Sequence, residues 1–169
     1  AAATGAMNGL QMVGAIGAML LAFIALIAMV NGMLEAGGAW VGIEQLTLER
    51  VLGGLLQPLA WALGIPWDEA QLAGSLIGQK FILNEFVAYV TFSEVAAQLS
   101  PHSQAIVIFA LCGFANLSSI AILLGGLGAV APERRDDISR YGFRALIAAS
   151  LSNLMSAALA GFFLTLGAA

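Results

Sequence analysis

Two polar clusters interrupt an otherwise apolar chain, and each carries side chains that could build a hydrogen-bonding site. The first runs Gly78-Gln79-Lys80-Phe81-Ile82-Leu83-Asn84-Glu85, among the apolar stretches 70–77 and 81–92. The second is Gly113-Phe114-Ala115-Asn116-Leu117-Ser118-Ser119, in the middle of the charge-free run 105–131. At helical spacing Asn116 and Ser119 share a face. A carboxylate accepts two hydroxyl protons, while an amide and a hydroxyl supply complementary donors and acceptors. A charge inside a membrane is costly (about 2.5–3.5 kcal/mol on insertion scales), so at such depth Glu85 needs an occupant, a proton or a cation. Plainer roles stand beside these: Glu85 could pair with Lys80, and Asn116 with Ser119 could be interhelical glue.

The elements that hold these clusters follow from composition. Of 169 residues, 60% are hydrophobic and 9% charged, and the mean hydropathy is +0.94. An average soluble domain is about 25% charged, so this chain cannot cover a water-facing surface. A cytosolic enzyme and a nucleic-acid binder are excluded, because six Lys+Arg cannot track a phosphate backbone. One cysteine and one histidine leave no disulfide framework and no usual transition-metal ligand set, so no metal site is expected.

The sixteen charges fall in two windows, Glu35 to Glu94 and Glu133 to Arg144. The charge-free runs 10–30, 105–131 and 145–168 each meet the requirement of about 20 apolar residues for a membrane-spanning helix. The organisation expected is all-α and integral to the membrane. Residues 1–40 form a transmembrane helix (of scaffold type, on the resemblance given below), and 41–66 an interfacial amphipathic helix with Pro58 inside it. Residues 67–101 form a re-entrant helical hairpin, too short in each arm to cross alone. Residues 102–131 form a transmembrane helix broken near Gly113, 132–144 a basic loop, and 145–169 the last transmembrane helix. Irregular backbone at depth is tolerated where protein buries it or it lines a cavity, and interrupted apolar segments point to a transporter's midplane site. His102, after Ser100-Pro101, reads as a solvated loop residue. The small-residue rows Ala148/Ser152/Ser156/Ala160 and Ala149/Asn153/Ala157/Gly161 read as close helix packing. No basic region precedes the first apolar run, so that run is expected to be a retained helix, in the carboxy-terminal piece of a longer protein.

The string Gly78-Gln79-Lys80 through Asn84-Glu85-Phe86-Val87-Ala88-Tyr89, with Cys112-Gly113-Phe114-Ala115-Asn116-Leu117-Ser118-Ser119-Ile120, resembles the carboxy-terminal half of the concentrative nucleoside transporter family. Asn31-Gly32, Gln45-Leu46-Thr47, Pro132, Arg134-Arg135 and Ser152-Asn153-Leu154-Met155 extend the resemblance over nearly the whole chain. It implies a homotrimer with inverted repeats, and ribose contacts from Glu85, Asn116 and Ser119, with Phe114 lining the site. Lys80, Gln79 and Asn84 would support those residues from behind. The family's other hairpin, with its base-reading and coupling-ion ligands, lies outside this chain. A coupling cation, sodium or proton, is therefore expected with ligands elsewhere, and no other cofactor.

The function expected is part of an ion-coupled nucleoside symporter working by alternating access, in the bacterial inner membrane as a multi-pass protein. Four of the six basic residues, Arg134, Arg135, Arg140 and Arg144, place 132–144 in the cytoplasm. Partners are a nucleoside, the lipid bilayer, the missing amino-terminal half and further copies of the chain, with no nucleic acid. Two other classes are distinguishable. An accessory scaffold subunit predicts no substrate effect of changing Glu85, and a channel predicts flux that neither saturates nor accumulates.

Overall fold

The computed structural model describes residues 2–43, 45–117, 119–120 and 132–167. All regular structure among them is helical. The chain divides into two compact units, residues 1–48 and 49–169.

The first unit is dominated by α1 (Ala2–Val41), forty residues without proline. At 1.5 Å rise per residue it is roughly 60 Å long, about twice the ~30 Å hydrocarbon core of a bilayer. It ends where Gly42 takes φ 75° and the Ile43 N–H donates to the Gly38 carbonyl at 2.9 Å, a Schellman cap that glycine permits. The chain then folds back along the helix. The Leu48 N–H donates to Asn31 Oδ1 at 2.8 Å. A Cβ on Gly38 would stand 2.6 Å from the Ile43 carbonyl oxygen and 2.9 Å from Leu46 Cβ, so the return needs glycine there.

The second unit contains α2 (Leu48–Ala62), α3 (Trp67–Ile82), α4 (Glu85–Val95), a 3-10 turn (Ala96–Gln98), α5 (Pro101–Leu111), a second such turn (Pro132–Arg134) and α6 (Arg135–Gly167). Helical backbone also resumes at Leu117, but most of the second half of the run 105–131 lies outside the described residues. The core is built from Ala60, Ile65, Ala73, Leu76, Ile77, Ile106, Ala110, Leu111 and Ala157. Small residues let the helix axes approach, as membrane helix packing requires.

Helix α3 starts after Pro66 with Asp68 and Glu69 in its first turn, where a helix dipole favours anions. Glu69 ties that end to the start of α5, accepting the Ser100 N–H at 3.1 Å and the Ser100 hydroxyl at 3.0 Å. Ser100 also caps α5, with Pro101 in the first turn.

Helix α2 packs on α3 through glycines. A Cβ on Gly74 would lie 2.9 Å from the Leu56 carbonyl carbon and 3.0 Å from the Gln57 nitrogen, both backbone atoms. Gly74→Val is therefore expected to lower stability by roughly 1–3 kcal/mol, the usual cost of overpacking. Gly54→Val, with nothing within 4 Å, should leave it unchanged. Thermal unfolding of the detergent-solubilised complete protein compares the two, and equal midpoints would contradict this packing.

The last helix departs from expectation. Residues 132–144 do not form a loop: α6 begins at Arg135, so Arg140 and Arg144 sit on its first turns. Asp136 and Asp137 lie at its amino-terminal end, and Arg134 pairs with Asp137 at 3.0 Å. Charged residues do not imply a loop here, because acidic residues at a helix start favour the helix. The apolar part, Ser139–Gly167, is long enough to cross a membrane, with mean hydropathy 1.7. It exposes Phe143, Leu151, Met155 and Phe162. Of the two small-residue rows, Ala157 and Gly161 of one are buried, while Ser152 and Ser156 of the other are exposed.

Candidate functional site

The turn between α3 and α4 is two residues long, Leu83 and Asn84. Asn84 is extended (φ −169°, ψ 169°), and its Oδ1 accepts the Val87 N–H at 2.9 Å. This is an N-cap, and it fixes where α4 begins. Glu85 is consequently the first residue of α4, with its carboxylate at the positive end of the helix dipole. Across the two arms, Thr91 Oγ1 donates to Gln79 Oε1 at 2.9 Å, and the Gln79 amide donates to Ser75 Oγ at 3.3 Å. Gln79 is buried and cross-braces the two arms.

Helix α5 stops at Leu111, with Cys112 as its C-cap. Asn116 and Ser119 then start the next helical segment. Asn116 Oδ1 accepts the Ser119 N–H at 2.9 Å, and Ser119 Oγ accepts the Asn116 N–H at 3.1 Å. This reciprocal pattern is a capping box with serine at its third helical position. The Nδ2 end of the Asn116 amide donates to Glu85 Oε2 at 2.9 Å. The break in the hairpin and the break in the helix meet at this bond. Two helix starts therefore converge on one carboxylate.

Lys80 makes no ion pair with Glu85 among the described residues. Its ammonium donates instead to Asn153 Oδ1 of α6 at 2.7 Å and lies 4.9 Å from the Phe81 ring centre. The structural Lys80–Glu85 pair is thus not formed. Phe114 is exposed and, with Ala115 and Ser119, lines a cavity of about 270 Å³ against Gly142, Ala145, Leu146 and Ala149 of α6.

Residues 1–161 match the family model described as Na+ dependent nucleoside transporter C-terminus. The chain belongs to this nucleoside transporter family. Among its relatives, an uncharacterized transporter, YutK, of Bacillus subtilis is 54% identical over 97% of this chain. The nucleoside permease NupC of Helicobacter pylori is 48% identical over 99%. A solved structure of CNTnw, in an inward-facing substrate-bound state, superposes with TM-score 0.94 at 56% identity over 99% of this chain. The chain spans 41% of the length of each of these three.

In this chain the structure joins Glu85, Asn116 and Ser119 in one hydrogen-bonded cluster, with Phe114 beside Ser119 at the cavity. Asn84 caps α4, and Gln79 joins the two arms through Thr91. Glu85 and Asn116 do not line the cavity that Phe114 and Ser119 share with α6. Two further residues, Thr91 and Asn153, join the hydrogen bonds behind these breaks. Thr91 gave no signal beyond its type. Asn153 was visible as the one amide in an otherwise small-residue row. His102 is not in a loop: it lies in the first turn of α5, with Nε2 3.1 Å from the Gly161 carbonyl and 3.2 Å from Thr165 Oγ1.

Proposed function

We propose that this chain is the carboxy-terminal portion of a cation-coupled nucleoside symporter and contributes the ribose-binding half of the substrate site. The observation that carries this is the 2.9 Å bond between Asn116 Nδ2 and Glu85 Oε2, which unites two interrupted helices in a chain of this family. Glu85 would accept ribose hydroxyl protons through its remaining lone pairs, and Asn116 would hold the carboxylate in register. Ser119 would face the sugar from the new helix start, and Phe114 would offer its ring to the apolar side of the ligand. Helices α3 and α4 would then form a re-entrant hairpin, with the half-buried Asn84 and Glu85 of its break at depth.

The family description favours sodium as the coupling ion. The ligands of that ion are expected in the rest of the protein, on the hairpin that the family carries upstream of this portion. Alternating access would carry the hairpin and the broken helix as one body, in a homotrimer of the bacterial inner membrane, multi-pass and with 132–144 at the cytoplasmic face. The complete protein in vesicles should accumulate a nucleoside under an inward sodium gradient, with saturable kinetics. This chain alone should insert and accumulate none. Accumulation by the chain alone would refute the division of labour, and flux without saturation by the complete protein would favour a channel.

A further inference from the structure

Lys80, the chain's one lysine, is fully buried in the last turn of α3. Its Nζ donates to Asn153 Oδ1 at 2.7 Å, and Asn153 Nδ2 donates onward to the Phe109 carbonyl at 2.9 Å. Phe109 is in the last turn of α5. Immediately beyond that end, Gly113 presses on the same amide. A Cβ there would stand 2.6 Å from Asn153 Cγ and 2.7 Å from its Oδ1.

The electrostatics of the two breaks are consistent with this path. Helices α3 and α5 both terminate near the ammonium, and helix ends carry partial negative charge. Helix α4 and the segment from Leu117 both begin at Glu85 and Asn116, where partial positive charge meets the carboxylate. A cation therefore serves the two ends and an anion the two starts. A buried ammonium without an acceptor would be strongly unfavourable, so Asn153 sets where Lys80 can sit.

We infer that the Lys80–Asn153–Phe109 clamp is a positioning device for the nucleoside site. It fixes the end of α3 against the end of α5, and thereby the distance at which Asn116 reaches Glu85. Lys80 and Asn153 touch no ligand in this account. They act through the register of the two breaks, and the inference rests on the site proposed above.

The test is uridine uptake by the complete transporter in vesicles, with KM and maximal rate measured at equal membrane abundance. Lys80→Met and Asn153→Leu should each raise KM about tenfold, the scale of a lost charge-assisted hydrogen bond. The maximal rate should change less than about threefold, and the double variant should be no worse than the worse single, because one path is broken once. A merely structural role would lower abundance or maximal rate and leave KM in place. Gly113→Ala keeps both polar side chains and displaces only the amide, so it should raise KM by about the same factor. If the first two variants never reach the membrane, Gly113→Ala decides alone. An unmoved KM in the variants that do reach it, or effects that multiply to about a hundredfold in the double, overturns the clamp. Glu85→Gln is measured alongside. Normal uptake by that variant removes the site and the clamp together, whereas lost uptake with an unmoved KM in Lys80→Met removes the clamp alone.

Discussion

Glu85→Gln in the complete transporter is expected to cut nucleoside uptake by about 100-fold at substrate concentrations below KM. A carboxylate can accept from Asn116 and from two ribose hydroxyls at once. Glutamine has one acceptor oxygen, and its amide would present donors toward hydroxyls that need acceptors. Charge-assisted hydrogen bonds contribute roughly 1.5–3 kcal/mol each, so losing them accounts for an effect of that size. Glu94 provides the control. It lies near the end of the same helix but is exposed, and Glu94→Gln should leave uptake unchanged. Radiolabelled uptake at matched abundance compares the two. Parallel losses would point to a general effect of charge on the hairpin rather than to a site.

Asn116→Ala should be nearly as severe, for a different physical reason. Asn116 is fully buried and does two jobs with one amide. Its oxygen caps the helix that begins at Leu117, and its nitrogen holds Glu85. Removing a cap costs about 1 kcal/mol, and removing a donor to the half-buried Glu85 carboxylate about 1.5–3 kcal/mol. Uptake should fall by roughly 100-fold, mainly through KM. Ser119→Ala leaves the Asn116 cap acceptor and the bond to Glu85 in place, so about tenfold is expected. Asn116→Ala combined with Glu85→Gln should be little worse than either alone, since both break the same junction. Full multiplication of the two effects would show that they act at separate places.

How far the site was legible depends on distance along the chain. Asn84 before Glu85 and Ser100-Pro101 before α5 are local start signals, and the hairpin's limits fall where they stand. His102 follows such a signal: a Ser-Pro pair opens a helix as readily as it stands in a loop, and here it opens α5. Asn116 and Ser119 show a real ambiguity. A separation of three residues places side chains on one helical face and also makes a capping box, and type and spacing alone do not separate the two. The structure resolves this in favour of the cap, and the cap lets the amide nitrogen turn to Glu85. The Lys80–Asn153 bond spans 73 positions and joins two residues whose local sequence gives neither a reason to pair. The start of α6 at Arg135 is not marked by hydropathy, because a helix can carry charged residues beyond its apolar span.

The central claim is that the Glu85–Asn116 junction reads the sugar of a nucleoside, and it can be tested by the ligand as well as by the protein. Equilibrium binding of uridine and of 2′,3′-dideoxyuridine to the purified complete transporter, at saturating sodium, measures what the ribose hydroxyls contribute. A site built to hydrogen-bond hydroxyls rejects an analogue that lacks them, because its buried polar groups are left unpaired. The wild-type protein should bind uridine about 100-fold more tightly than the dideoxy analogue, and Glu85→Gln should narrow that preference to within about threefold. A preference that survives unchanged in Glu85→Gln would mean that the hydroxyls are read elsewhere, and the assignment of this junction to the sugar would be wrong.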